Sequence, residues 1–459
     1  LALCGCVTVT KRPVVTGTPV PVPPPVTTLE VEEPVLPAAD HFTSSEILGD
    51  VTKVRAQVVP RQPTIRPRIF RSEGPVRTSR LGQDDLAFFE AFPASGAGTF
   101  GACSTTAPTG AKGETLTFTR ASPATCTPDG LATSGIATGS LVELTNNVVR
   151  VERDAAGVLG LRVESSRTNS LFRFIDFANA LWSDVGTPTL TGSQTSPFSG
   201  TYQNSAVLFD DNDGAAFEGR SQTATVTAAT AYTMHCYVRA GTASSARIVL
   251  DGTAATITGL SSTTWSIVEV TDASSSGVAI VAEVDVGNVA SVTGTVTFGG
   301  CQVEPGSYRT SIIPTVAATV TRSAEAPSFG PSTFGITTNS ACVALSVQRT
   351  TGTAQAAPWL LQNVYEGVYT GTFTNFHYPA GSFFGTLAMP GSGVARLLTR
   401  ADGVTRTNCV NGTCESTAVA ATNFSGSPWT FVVGNEAGSK FVDSIITRIQ
   451  VDPDISRCR

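Results

Sequence analysis

Through most of the chain, apolar and polar residues alternate one by one in short runs broken by Ser, Gly and Thr. Tyr232, Met234, Cys236 and Val238 alternate with Thr233, His235, Tyr237 and Arg239, the period of a strand with one face on a core and the other on solvent or a ligand. Val278, Ile280, Ala282, Val284 and Val286 repeat the pattern with Glu283 and Asp285 turned outward, and Trp265 starts another such strand. Short strands separated by turn residues predict an antiparallel sandwich. A helical period is rare. Thr43 caps one helix, Glu46 reaches back to the cap, Phe42 and Ile47 flank it, and Ile47, Val51 and Val54 share a side, which predicts a helix over Ser44–Ala56. A second short helix is expected over Asp84–Phe92, ending at Pro93.

The N-terminal part lacks the makings of a core. Val7–Pro37 is rich in Pro and Val around Pro21–Pro25, so it is expected as an extended tether in the polyproline manner, with a docking site for a proline-reading module as the alternative. Lys53–Arg80 carries eight basic residues against the single Glu73; it reads as a solvated linker, or one that adheres to an anionic surface.

Three stretches go beyond patterning. GLRVESSRTNSLFRFIDFANALW (Gly160–Trp182), CQVEPGSYRTSIIP (Cys301–Pro314) and LTFTRAS (Leu116–Ser122) resemble a family of carbohydrate-binding-module-like jelly-roll modules. These are common in phage tail and head-fibre proteins and in surface proteins of GC-rich bacteria, where the matching pieces read GLLVE…RTNL…DFSNAAW, QLEEGSYPTSYIPT and TFTRAS. The resemblance covers Thr115–Thr321; it implies a fold, with Phe177 and Trp182 entering the first strand of a sandwich, and is silent about the ligand. Further on, Ala341–Val347, Val394–Leu398, Trp429–Gly434 and Ile445–Ile449 are similar to a concanavalin-like, laminin-G-type jelly roll. The expected fold is all-β: two antiparallel β-sandwich (jelly-roll) domains after a Pro-rich, mostly extended N-terminal arm with one short helix. The divisions expected are a tether (1–40), a short helix and basic linker (41–93), a β-rich lead-in (94–159), a carbohydrate-binding-module-like jelly roll (160–322) and a laminin-G-like jelly roll (323–459).

Composition narrows the setting. Of the 30 basic residues only four are Lys, the bias of a GC-rich genome, and a net charge of -6 gives no reason to expect nucleic acid as a partner. The ten cysteines are mostly far apart, which suits disulfides better than a metal cluster or the buried thiols of a cytosolic protein. The expected pairs are Cys103 with Cys126, Cys236 with Cys301, Cys342 with Cys458, and Cys409 with Cys414 across an Asn411-Gly412 turn. Leu3-Cys4-Gly5-Cys6 is similar to a bacterial lipobox with Cys6 as the lipidated residue, although no apolar stretch precedes it. No later apolar run is long enough to cross a bilayer, so membrane attachment is expected only through lipid at this end.

The chemistry on offer favours binding. Glu283-Val-Asp285-Val-Gly-Asn288 falls short of the E-x-D-x-x-E of concanavalin-like glycosidases because Asn288 stands where the acid should be; it reads as a solvated strand face. Asp210, Asp211, Asp213 and Glu218 offer hard oxygen ligands for a structural calcium, against the plainer reading of a solvated turn. His41, His235 and His377 are isolated, and no G-x-S-x-G, phosphate loop or HExxH pattern occurs. Sugar rings stack on aromatics, and the candidates are Trp182, Tyr202, Tyr237 and Trp265 in the first unit and Trp359, Tyr365, Tyr369 and Tyr378 in the second. Tyr237 leads, since its strand turns the other set of residues inward. The expectation is a non-catalytic, surface-exposed glycan-binding or adhesion protein, exported as a disulfide-bonded lipoprotein to the cell surface, the outer membrane or beyond. Its partner would be a glycan or cell-surface polysaccharide. The alternatives are a phage fibre or spike recognising host polysaccharide, a polysaccharide hydrolase, and a spacer without a ligand.

Overall fold

The structure, a computed structural model, describes residues 116–329 except 129, 131 and 154–156, together with 87–89, 102–103 and strand segments between 341 and 452. The Ser44–Ala56 helix, the tether, the basic linker and Cys6 lie outside the described residues. Among the described residues the fold is all-β; its one helical element is a 3-10 turn, Gly200–Tyr202, and no helix is long and apolar enough to cross a membrane.

The first strand, β1 (Ala87–Phe89), lies where a helix was expected, and pairs with the C-terminal strand Ser444–Asp452. Two adjacent Phe suit a strand as well as a helix, and tertiary pairing decides. Six short strands follow: β2 (Leu116–Thr119), β3 (Ala124–Cys126), β4 (Val142–Leu144), β5 (Val151–Arg153), β6 (Leu159–Val163) and β7 (Arg167–Asn169). The sandwich strands are β8 (Ser183–Val185), β9 (Thr189–Gln194), β10 (Ala206–Asp211), β11 (Gly219–Thr225) and β12 (Tyr232–Ala240). After them come β13 (Ser245–Leu250), β14 (Thr253–Thr258), β15 (Ser266–Asp272), β16 (Ala279–Val286) and β17 (Gly294–Pro305).

These ten form two five-stranded sheets, β15-β12-β17-β10-β9 and β14-β13-β16-β11-β8. Between them lies a core that takes Met234, Cys236 and Val238 from β12, Ile280, Ala282, Val284 and Val286 from β16, and Phe209, Phe298, Phe177 and Trp182, the inward set of the period-two pattern. Val278 stands just before β16 and is exposed. Phe177 and Trp182 lie in turns ahead of β8 rather than in a strand; their rings, 4.8 Å apart, are buried in this core.

The other face of the β12 sheet is also covered. Tyr237 and Ile267 point into a second cluster with Trp265, Phe174, Ile175, Phe198 and Ile312, sealed by Ile136 and Leu141 from the lead-in. An isolated bridge between Ile136 and Trp265 fixes that cover. At Gly299 a Cβ would come within 2.8 Å of the Trp265 ring and 2.5 Å of Pro197, so only glycine lets β17 approach so closely.

The stretches that carry the family resemblance also converge on a buried ion network. Glu325 accepts from Arg120 Nη1 (2.8 Å) and from Arg150 Nε and Nη2 (2.7 Å each). Glu164 accepts from Arg150 Nη2 (2.6 Å), Arg162 Nη2 (2.6 Å), and the Ser311 amide (2.9 Å) and hydroxyl (2.6 Å), and lies 2.7 Å from Arg322 Nη1. All of these Arg and Glu side chains are buried. Burial by itself would raise the Glu164 carboxyl, but Arg150, Arg322 and Arg162 together hold it well below the usual carboxylate range.

The lead-in also completes the C-terminal sheets. An eight-stranded sheet runs from Thr413–Ala418 through Thr405–Val410, Gly393–Ala401, Ala341–Arg349 and Ser444–Asp452 to β6 and β5, with β1 beside Ser444–Asp452. A seven-stranded sheet begins on β2, which pairs with Ala326–Phe329. Thus β6, the short strand that contains Gly160, pairs with Ser444–Asp452.

Three expected disulfides are present: Cys103–Cys126, Cys236–Cys301 and Cys409–Cys414. The last two join residues directly opposite on paired strands, with Cα atoms 4.2 and 4.0 Å apart. Cys342 is disulfide-bonded, and its expected partner, Cys458, lies outside the described residues.

Candidate functional site

A groove of ≈ 390 Å³ opens at the edge of the β12 sheet, where β9 is the outermost strand. Three local features build it. The first is the segment after β7, in which Phe174 and Ile175 enter one apolar cluster and Phe177 and Trp182 the other. Arg173, just before these anchors, and Asp176, between Ile175 and Phe177, are left at the surface with side chains 34% and 47% exposed. The turn is fixed by Asp176 N–H donating to Arg173 O (3.2 Å) and Trp182 Nε1 donating to the same carbonyl (3.2 Å).

The second feature is a β-bulge. Register along β9 and β10 runs from Gln194 opposite Ala206 to Thr191 opposite Leu208, so Gly192 and Ser193 together oppose Val207. Ser193 takes a left-handed conformation (φ 60°), as does Arg173 (φ 51°). A bulge twists an edge strand and re-aims its side chains, and here Gly192, Ser193 and Val207 all line the groove. The third is the 3-10 turn that ends at Tyr202. Its ring meets Phe174 edge-on at 4.9 Å and Phe198 at 6.0 Å, and the Ser196 hydroxyl donates to its carbonyl (2.6 Å). Asn204 and Ser205 follow it into the lining, and Thr315 and Val316 form the far wall, held by Arg173 N–H donating to Val316 O (3.0 Å).

The groove therefore offers one half-buried aromatic ring, a guanidinium, a carboxylate, an amide and the hydroxyls of Ser193, Ser205 and Thr315 beside apolar Ile175, Val207 and Val316. Arg173 stands 3.8 Å from Asp176, and its Nε has no hydrogen-bond partner among the described residues. Burial, and then the Glu143 carboxylate, raise the Tyr202 hydroxyl above the ordinary tyrosine value. The volume falls in the range of small-molecule sites.

Of the aromatics expected to hold a ligand, Tyr202 alone among those whose side chains are described lines this groove. Trp182 is buried in the sandwich core, and Tyr237 and Trp265 in the cluster on the other side of the same sheet; this corrects the expectation for all three. Tyr237 does lie on the face opposite Cys236, as the alternation requires, but lead-in residues cover that face. Burial pushes its hydroxyl up to about 12, and the polar cavity beside it measures ≈ 10 Å³, room for about one water. Trp265 Nε1 donates to Thr138 Oγ1 (3.2 Å), and Arg239 stacks on its ring at 4.8 Å. Tyr365 and Tyr369 fall on the strand Val364–Tyr369, Tyr378 on Phe373–Tyr378 and Trp359 on Gln355–Leu361; their side chains lie outside the described residues.

The two acidic stretches also differ from expectation. Asp285 is buried rather than solvated: Arg247 Nε donates to it (2.8 Å), Arg247 Nη2 donates to Glu283 (2.5 Å), and Phe217 covers the guanidinium at 3.4 Å. Burial, and then Glu283, push the Asp285 carboxyl up to about 7. In the other stretch Asp211, Asp213 and Glu218 converge with ligand atoms within 4.8 Å of one another, while Asp210 stays outside the group. His235 is buried beside Glu304, its Nδ1 3.9 Å from the carboxylate, and burial drives it down to about 3.

No protein-family model and no curated protein matches the sequence. Among solved structures the chain is similar to the tandem CBM22-1–CBM22-2 domain of Paenibacillus barcinonensis Xyn10C, at 9% identity and a TM-score of 0.23 over 62% of this chain and 97% of that one. It is also similar to the arabinose-bound MgGH51 α-L-arabinofuranosidase, at 13% identity and a TM-score of 0.24 over 41% of this chain; the match spans 31% of that enzyme. Likenesses this distant carry no argument about the groove.

Patterning alone passes over Arg173, Asp176, Ser193 and Asn204, which lie in turns or at the bulge, where no period applies. One signal was there: a glycine inside a strand pattern, as in Thr191-Gly192-Ser193, marks a bulge or a close approach.

Proposed function

We propose that the protein binds a glycan, without cleaving it, in the groove between Arg173, Ser193, Tyr202 and Val316, and does so as an exported, disulfide-bonded protein of a cell surface. The observation that carries this reading is the half-buried Tyr202 ring set among Arg173, Asp176, Asn204 and Ser205 in a groove of ≈ 390 Å³. A sugar needs that combination, an apolar face to stack on with donors and acceptors at its rim. Binding without hydrolysis rests on the lining, where Asp176 is the single carboxylate among the described residues; glycosidic cleavage ordinarily takes two. Export is supported by the disulfides, which persist in oxidising compartments.

A glycan array with the full chain, followed by titration of the best hit, tests the proposal. Tyr202→Ala and the gentler Asn204→Ala, at an exposed position, should each weaken binding by about tenfold or more, or ~1.4 kcal/mol. A flat array, or variants that bind like the wild type, would remove the groove from consideration, and release of reducing ends from the bound polymer would replace binding with hydrolysis.

A further inference from the structure

We propose that the groove selects an acidic sugar unit, whose carboxylate docks on the open edge of the Arg173 guanidinium; this rests on glycan binding in the groove and names the class of glycan. Arg173 is the single cation of the lining among the described residues. Its Nε is buried and has no hydrogen-bond partner among the described residues. A buried donor without an acceptor costs free energy that a ligand oxygen would relieve. Asp176 does not fill that role: its Oδ2 lies 3.8 Å from Arg173 Nη1, beyond hydrogen-bond reach, and accepts from Asn179 Nδ2 (3.5 Å) instead.

The guanidinium is held ready. Arg173 takes a left-handed backbone conformation (φ 51°), uncommon for a residue with a long side chain. Hydrogen bonds fix it there from both sides: Arg173 N–H donates to Val316 O (3.0 Å), and the Arg173 carbonyl accepts from Asp176 N–H and Trp182 Nε1 (3.2 Å each). One residue earlier, the buried Gln222 accepts from Phe172 N–H (2.7 Å) and donates to Phe172 O (3.0 Å). A backbone clamped in a costly conformation sets the direction of its side chain before a ligand arrives, and such strain gathers at ligand sites.

The chemistry of the fork selects the ligand. A planar guanidinium meets the two oxygens of a carboxylate with two parallel N–H donors. The Nε–Nη2 edge is one such fork, and Asp176 lies nearest Nη1. An exposed ion pair such as Arg173 with Asp176 is worth little, so sharing the guanidinium with a ligand forfeits little. A hexuronate carries its carboxylate directly on the ring, which lets the ring lie on Tyr202 while Asp176, Asn204 and Ser205 meet its hydroxyls from the same lining.

Calorimetric titration of the full chain with alginate, polygalacturonate and hyaluronan, each beside its carboxyl-reduced form, tests the selection. At least one acidic polymer is expected to bind about tenfold tighter than its reduced form, with the difference shrinking as NaCl is raised. Arg173→Gln should erase that difference, and Arg173→Lys, which keeps the charge without the fork, should retain only part of it; an unchanged Tm checks that both variants fold. Equal binding of acidic and reduced forms overturns the selection. So does a difference that survives Arg173→Gln, the result that adhesion through the basic stretch Lys53–Arg80 would give. Tighter binding of a sulfated galactan overturns the choice of a carboxylate. Glycan binding itself fails separately: neutral polymers whose binding Tyr202→Ala weakens would keep it while the selection falls, and a panel without any binding removes both.

Discussion

Glu164 takes hydrogen bonds from Arg150, Arg162 and Ser311 and lies against Arg322, in the dry interior. Removing its charge leaves three buried guanidiniums short of a partner, so Glu164→Gln should cost about 3–5 kcal/mol in urea unfolding; a loss below ~1 kcal/mol would mean that the network is replaceable. Glu304 behaves in the opposite sense. Its neighbours Thr310 (2.6 Å to both N and Oγ1) and Arg167 favour the carboxylate, yet burial prevails and pushes it up to about 7. A carboxyl raised in the fold contributes stability that is full below its unfolded value of about 4.5 and is lost as pH rises through the folded value. Chemical denaturation of the wild type should therefore show this term fading between about pH 4.5 and 7, by up to ~3 kcal/mol. Glu304→Gln should flatten the profile in that window, and an unchanged slope would assign the titration elsewhere. Both carboxylates follow a Val, Glu164 just past the end of β6 and Glu304 within β17. Val149-Arg-Val-Glu152 and Leu161-Arg-Val-Glu164 repeat one charged pattern, a signal that buried ions were present, though nothing in it says which Arg meets which Glu.

At the scale of elements, β12 shows what a period-two pattern does and does not contain. Tyr232, Met234, Cys236 and Val238 face the sandwich core as their alternation predicts. The opposite set, Thr233, His235 and Tyr237, is buried too, because a second layer covers that face, and a period of two cannot report what packs on the far side of a sheet. The Cys236–Cys301 link joins β12 to β17 across 65 residues of chain. From loop-closure entropy it is worth about 4 kcal/mol, so Cys236→Ala with Cys301→Ala should lower stability by up to that amount while leaving the strand content seen by circular dichroism intact. The bulge in β9 belongs to the same scale: Gly192 hints at it in sequence, but its placement opposite Val207, which opens the groove, depends on the register with β10.

Over the whole molecule, cores and sequence segments do not coincide. The cluster on the outer face of β12 needs Ile136 and Leu141, the ion network needs Arg120, Arg150 and Glu325, and the C-terminal sheets need β2, β5 and β6. A fragment of residues 160–322 should therefore melt at least about 10 °C below one of residues 101–329, which keeps the lead-in cover, the network and the Cys103–Cys126 disulfide. Equal melting temperatures in parallel scans would show that the lead-in is dispensable. Separate Tyr202→Ala titrations on the longer fragment and on the full chain would then show whether the groove is whole without the C-terminal sheets.

The sequence by itself determined the all-β class, the core-facing residues of strands such as β12 and the Cys409–Cys414 pair, because alternation, turn residues and a tight Asn-Gly hairpin are local properties that the backbone reads within a few residues. Only the tertiary structure decided that Trp182, Tyr237 and Trp265 are packing residues, that Asp285 is paired instead of solvated, and that Arg173, Ser193, Tyr202 and Asn204 share one groove. Each of those outcomes depends on which distant segment lands on a given face, and burial is a property of both partners, of which the local pattern shows one.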